Sequence, residues 1–159
     1  MKVVLDANQF VSAVLVPYGH PARILKAWRQ KRFGVAISPA IVAEIRRVLN
    51  YPRLQRKHGW SRREVEDFLS RVAAVAEIVP VGPDLHVVTD DPTDDMYVAC
   101  AVTAGARYII SGDEHLKELK RYRGIEIFSP SDFIRQVLGE LPSARPRRPA
   151  ATRRRSRSG

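Results

Sequence analysis

The stretch "KVVLDANQFVSA", residues 2–13, holds a strand-like apolar run that ends at an acid, Asp6, and an amide, Asn8. Asp and Asn are poor strand formers, and a carboxylate at the end of a buried strand is destabilising unless another group compensates its charge. Taken by itself, Asp6 caps the turn that follows the strand. A larger role depends on which side chains the rest of the chain places beside it.

The chain alternates short apolar strands with amphipathic helical patterns. The strand-like segments are residues 2–6, 34–38, 76–81, 107–111 and 125–129. The helix-like segments are residues 20–32, 39–50, 61–76, 92–106 and 129–141. Most of the strands are apolar on both faces, which is typical of a parallel sheet covered by helices on both sides. We therefore predict an α/β protein, a three-layer α/β/α sandwich with a mainly parallel central sheet.

Positive charge is concentrated at the C-terminal end of the 159-residue chain. The net charge is +10, and residues 143–159 carry seven arginines and no acid, so +3 remains on residues 1–142. We predict one folded domain over residues 1–141 and a disordered Arg- and Pro-rich tail over residues 142–159. The tail either attracts nucleic acid electrostatically or is solvated without a dedicated role.

Several protein classes do not fit this composition. No apolar run reaches the roughly 18–20 residues of a membrane span, and the apolar run after Lys2 is too short for a signal peptide. One cysteine, Cys100, cannot form an internal disulfide. We expect a cytoplasmic protein that does not associate with membranes.

Acidic residues occur where an α/β sheet places functional groups. Asp6 ends the first strand and Asp113 follows the fourth, and the carboxyl ends of parallel strands meet at one edge of the sheet. Glu44 lies at the border of the apolar stripe of its helix, and Asp95 is spaced to face inward. Each acid has an ordinary interpretation as a turn cap, a helix-terminus charge or a surface ion pair.

Together, these acids indicate a cation site. Clustered carboxylates repel one another unless cations lie between them, and ligand sets made only of oxygen suit Mg²⁺ or Mn²⁺. Such a site activates water for phosphodiester cleavage, with one or two metals. The sequence shows no glycine-rich phosphate loop, nucleophile elbow or zinc-like spacing that would support another chemistry.

Four stretches in this order together resemble the PIN domain, in particular the toxin components of bacterial type II toxin–antitoxin systems. They are "VVLDANQFVSA" (3–13), "ISPAIVAEIRRVL" (37–49), "DDPTDDMYVACAVTAGARYIISGDEHL" (90–116) and "IEIFSPSDFI" (125–134). The resemblance implies a PIN-like nuclease domain with Mg²⁺- or Mn²⁺-dependent endoribonuclease activity. The four acids of the family, which are both catalytic and metal ligands, fall on Asp6, Glu44, Asp95 and Asp113.

The resemblance also implies supporting residues and partners. Asn8 matches a polar residue that organises the turn after the first acid, and Ser111 matches a Ser or Thr that supports the site by hydrogen bonding. Asp91 and Asp94 are extra acids that either orient water or metal or merely lie near the third position. Toxins of this type act on RNA, are held inactive by a cognate antitoxin, and are commonly homodimers.

Two other functions fit the same sequence. One is a PIN-type nuclease that processes RNA or cleaves DNA without an antitoxin. The other is a non-catalytic nucleic-acid-binding module in which the acids are structural and the basic tail binds. Arg23, Lys26 and Arg46 either guide an RNA backbone or lie on solvated helix faces.

Overall fold

A six-stranded sheet in the order β3-β2-β1-β4-β6-β5 forms the centre of the computed structural model, which describes residues 1–80 and 92–139. The strands are β1 (Lys2–Leu5), β2 (Gly34–Ile37), β3 (Glu77–Ile78), β4 (Tyr108–Ile110), β5 (Arg121–Tyr122) and β6 (Ile125–Phe128). Every pairing is parallel except that of β5 with β6, which is antiparallel. The predicted mainly parallel sheet is confirmed, with one additional two-residue strand, β5, at an edge.

Helices cover this sheet. They are α1 (Ala7–Leu15), α2 (His20–Arg29), α3 (Pro39–Leu49), α4 (Pro52–His58), α5 (Arg62–Val75), α6 (Pro92–Ala104), α7 (Glu114–Glu118) and α8 (Pro130–Gln136). Each helix-like segment of the sequence contains one of them. The sequence patterns do not delimit α1, α4 or α7, since α1 continues the apolar run of β1 and the other two are short and polar.

The core lies around the two central strands. Val3 and Val4 of β1 and Ile109 and Ile110 of β4 are fully buried, as expected for strands that are covered on both faces. Helix α6 packs against β1, β2 and β4, while α1 packs against α2 and α3. This layering confirms the predicted sandwich and fixes the carboxyl ends of β1 and β4 side by side.

Two predictions from the sequence concern the C-terminal tail and membrane-spanning segments. The predicted tail, residues 142–159, lies outside the described residues. Within residues 1–80 and 92–139, no helix has the length and apolar character needed to cross a membrane.

Candidate active site

Asp6 lies at the junction between β1 and α1. Its backbone N–H donates to the carbonyl of Ile110 at 3.1 Å, which extends the pairing with β4 by one residue. Its side chain caps α1, since Oδ1 accepts a hydrogen bond from the backbone N–H of Gln9 at 3.1 Å. The ordinary capping role of Asp6 is therefore present, and it uses only one carboxylate oxygen.

The second oxygen of Asp6 is engaged by Ser111, a fully buried residue directly after β4. The Ser111 hydroxyl donates to Oδ2 of Asp6 and accepts from the backbone N–H of Asp113 at 3.0 Å. Asp113 in turn accepts from the backbone N–H of Leu116 at 3.4 Å, at the start of α7. One hydroxyl thus connects the first and fourth acids at the edge where β1 and β4 end.

The environment of Asp6 disfavours its charge. The side chain is 3% exposed, and this burial raises its pKa above the ordinary value of 3.8, while hydrogen bonds from Ser111, Gln9 and the backbone of Asn8 partly oppose the shift. Within the described residues, no cationic side chain pairs with Asp6. The carboxylate is held by neutral dipoles alone, which leaves it suited to a bound cation.

Helix α6, which carries Asp95, contacts the residue after Asp6 through Tyr97. The hydroxyl of Tyr97 accepts a hydrogen bond from the backbone N–H of Ala7 at 3.1 Å, which ties the first turns of α6 to the residue after Asp6. Asp95 is half-buried and lies two residues before Tyr97. Asp94 lies in the same helix, but its side chain is not among those described, and Asp91 lies outside the described residues.

Glu44 is in a different electrostatic state. It projects from α3, which packs against α1, and its side chain is 21% exposed. Nε of Arg47 donates to Oε2 of Glu44 at 3.0 Å, and Nη2 of the same guanidinium donates to Oε1. Arg47 also donates to the hydroxyl of Tyr51 and lies 5.2 Å from the centre of its ring. The second acid is therefore paired with an arginine of its own helix.

The described acids do not form a complete metal cage. Among the side chains that the structure describes, which exclude those of Asp94 and His115, no three His, Cys, Asp or Glu approach closely enough to hold one ion. The donor chemistry nevertheless fits Mg²⁺ or Mn²⁺, because the candidates are carboxylates and Asp6 is buried without a cationic partner. The structure joins Asp6 to Asp113 and places Glu44 and Asp95 on helices packed around them.

Two further polar groups were not predicted from the sequence. Gln9 is 4% exposed, and its Oε1 lacks a hydrogen-bond partner within the described part of the chain. Its amide nitrogen lies 3.9 Å from the position that a Cβ on Gly112 would occupy, next to Ser111. Tyr97 supplies the contact between α6 and α1. Helical spacing gave no signal for Gln9, because it lies outside the stripe formed by Ala7, Phe10 and Val11 and their helical neighbours.

Cys100 does not offer a competing nucleophile. The thiol is fully buried in α6, and burial raises its pKa to about 12. The reactive thiolate form is therefore scarce at neutral pH.

Comparison with known proteins agrees with the fold. The family model described as PIN domain matches residues 2–115. The uncharacterized protein MJ1680 of Methanocaldococcus jannaschii is 28% identical over 144 residues, which cover 86% of this chain and 91% of the relative.

Three solved structures share the fold. VapBC2 of Rickettsia felis, bound to a DNA fragment from its promoter, aligns with a TM-score of 0.55 and 16% identity over 81% of this chain and 98% of the other. VapC20 of Mycobacterium tuberculosis, described as a sarcin–ricin loop cleaving toxin, aligns with a TM-score of 0.54 and 16% identity. The alignment covers 78% of this chain and 98% of the other. PAE2754 of Pyrobaculum aerophilum aligns with a TM-score of 0.56 and 14% identity over 88% of this chain and 91% of the other. The protein belongs to the PIN-domain family.

Proposed function

We propose that this protein is a Mg²⁺- or Mn²⁺-dependent endoribonuclease and the toxin of a toxin–antitoxin pair. The observation that carries the proposal is the buried carboxylate of Asp6, which no described cation neutralises and which the Ser111 hydroxyl links to the backbone N–H of Asp113. Membership of the PIN-domain family supports nuclease chemistry. The toxin assignment is supported by the shared fold with VapBC2 and with VapC20, the toxin that cleaves the sarcin–ricin loop.

The four acids have distinct tasks in this proposal. Asp6, Glu44 and Asp95 hold the divalent cation, and Asp113 completes the site directly or through water. A bound divalent cation lowers the pKa of water and offsets the charge of the scissile phosphate. Ser111 fixes the orientation of Asp6 and of the backbone of Asp113, and Asn8 organises the turn that follows Asp6. Glu44 becomes a ligand only when Arg47 releases its carboxylate.

The decisive test is cleavage of a mixed RNA pool with Mg²⁺, Mn²⁺ or EDTA by the wild type and by Asp6→Asn. We expect cleavage only with metal, and a loss of more than about 100-fold in the variant, since even outer partners of metal ligands contribute about 10–100-fold. Glu66→Gln is the matched control, because Glu66 is an exposed acid of α5 whose partner is Arg46. Cleavage that survives EDTA or Asp6→Asn would contradict the proposal.

The partner and the location are tested separately. A cognate antitoxin predicts that expression in the bacterial cytoplasm inhibits growth, and that co-expression of the product of the adjacent gene restores it. The expected homodimer is checked by light scattering of the purified protein. Growth that depends on neither gene would favour a PIN-type nuclease that processes RNA without an antitoxin.

A further inference from the structure

The residues that follow α3 are basic up to Glu64, whose carboxylate accepts from the backbone N–H of Ser61 in the capping box of α5. The basic segment, which we define as residues 51–63 ("YPRLQRKHGWSRR"), contains five arginines and lysines and neither Asp nor Glu. These cations are Arg53, Arg56, Lys57, Arg62 and Arg63, and all five are exposed. A run of this kind either solvates a helix face or binds a polyanion.

The side-chain contacts of these five cations favour binding of a polyanion. Within the described residues, none of the five forms an ion pair or a hydrogen bond through its side chain. Other cations of the same surface are paired: Arg46 donates to Glu66 at 2.6 Å, and Arg47 pairs with Glu44. The basic segment therefore presents uncompensated charge, whereas the adjacent turn of α3 does not.

The backbone that carries these charges is fixed in place. The ring of His58 accepts the backbone N–H of Trp60 at Nδ1 (2.9 Å), which leaves Nε2 to donate to the carbonyl of Leu49 at 2.8 Å. Leu54 packs against the core, and Trp60 contacts Phe68 in a tilted arrangement, with 5.5 Å between ring centres. The apolar side chains face the protein, so the outward face consists mainly of cations and the exposed ring of Tyr51.

The surface is continuous with the candidate active site. Helix α4 packs against α1 and α3, the helices that begin at Asp6 and carry Glu44. Arg47 bridges the carboxylate of Glu44 and the ring of Tyr51, which is the residue before α4. A chain of polar contacts thus runs from a candidate metal ligand to the first residue of the basic segment.

We propose that the basic segment is the docking surface for the phosphate backbone of single-stranded RNA. This proposal rests on the proposed ribonuclease function and names the surface that holds the substrate beside its site. Neighbouring cations without acids match a line of phosphates, and the exposed tyrosine offers a stacking surface for a base. A protein partner would instead be expected to find an apolar centre, and the described outward face of α4 lacks one.

The test compares two double variants of the full chain. Arg56→Gln with Lys57→Gln removes two charges from the basic segment. Arg107→Gln with Arg123→Gln removes two exposed charges near the amino ends of β4 and β6, away from the carboxyl edge, where each stacks on a tyrosine. The C-terminal arginines are present in both, so their background is equal.

Binding is measured by fluorescence anisotropy of a short single-stranded RNA, in EDTA, at several salt concentrations. For Arg56→Gln/Lys57→Gln we expect weaker binding and a salt slope that is smaller by about 1.4, at about 0.7 per phosphate contact. The control pair keeps the wild-type slope. An unchanged slope in the first variant, or an equal loss in both, overturns the proposal.

Two further measurements separate this proposal from its alternatives. They are the binding of polyglutamate, as a model of an acidic protein, and RNA cleavage in the presence of metal. If Arg56→Gln/Lys57→Gln loses polyglutamate binding but keeps RNA binding, the surface serves an acidic protein, and the proposal is overturned. Because binding is measured in EDTA, it does not depend on cleavage. If the expected loss occurs and no metal supports cleavage, the ribonuclease function fails while the RNA surface stands.

Discussion

Asp6 and Glu44 are both predicted metal ligands, yet the structure holds them in opposite ways. Asp6 is almost fully buried, and neutral donors hold both of its oxygens. Glu44 is partly exposed, and the guanidinium of Arg47 holds both of its oxygens. The fold fixes Asp6, to which no described residue supplies a counter-charge, while Glu44 has a counter-charge that rotation of one side chain removes.

We infer from this difference that Asp6 keeps one position in the candidate site, whereas Glu44 can change its partner. Asp6 cannot move without disturbing the N-cap of α1 and the contact between β1 and β4. Glu44 changes partner at the cost of an ion pair near the surface, which is a small cost. Changes at the Asp6 corner should therefore affect folding and activity, whereas changes at Arg47 should affect ligand binding with little effect on folding.

The largest expected effect on stability comes from Ser111→Ala. The change removes a donor from Asp6 and an acceptor from the backbone of Asp113 at a fully buried position, so we expect the free energy of unfolding to fall by about 2–3 kcal/mol. Ser38→Ala is the matched control, because Ser38 is equally buried but caps only α3, a role worth about 1 kcal/mol. Chemical denaturation compares the two, and equal losses would show that the two hydrogen bonds of Ser111 contribute no more than one helix cap.

A smaller, pH-dependent effect is expected for Asp6→Asn without metal. Because the folded state raises the pKa of Asp6 above 3.8, it binds that proton more tightly than the unfolded state does. The contribution of this residue to stability is therefore complete below about pH 3.8 and is lost as pH rises through the folded pKa. The variant should gain stability relative to wild type between acidic and neutral pH.

Denaturation curves at several pH values in EDTA check this expectation, with Glu66→Gln as the control for loss of an acid. Adding Mg²⁺ or Mn²⁺ at neutral pH should stabilise the wild type more than Asp6→Asn, since binding to the folded state alone raises stability. A difference between wild type and Asp6→Asn that does not vary with pH would contradict the role of burial.

The sequence was most informative where local pattern and global fold agree. Apolar strands predicted the parallel sheet, and Ser61 and Glu64, which have the spacing typical of a capping box, form one in the structure. The sequence could place Asp6 and Asp113 at one edge of the sheet, since both follow the carboxyl ends of predicted parallel strands. It could not predict the pairing of Glu44 with Arg47 over the alternatives, or the hydrogen bond between Tyr97 and Ala7, because side-chain rotamers and helix packing determine those contacts.

The smallest effect is expected for Arg47→Gln, which tests the adjustable acid directly. Loss of the guanidinium leaves Glu44 without its counter-charge, so a divalent cation no longer competes with Arg47 and should bind somewhat more tightly. Arg46→Gln is the matched control, because Arg46 is the adjacent residue and pairs with Glu66 instead. Mn²⁺ titration followed by thermal unfolding measures both variants, independently of cleavage. If Mn²⁺ raises the unfolding temperature of both variants equally, Arg47 does not compete with the cation. Glu44 is then only the partner of a surface ion pair.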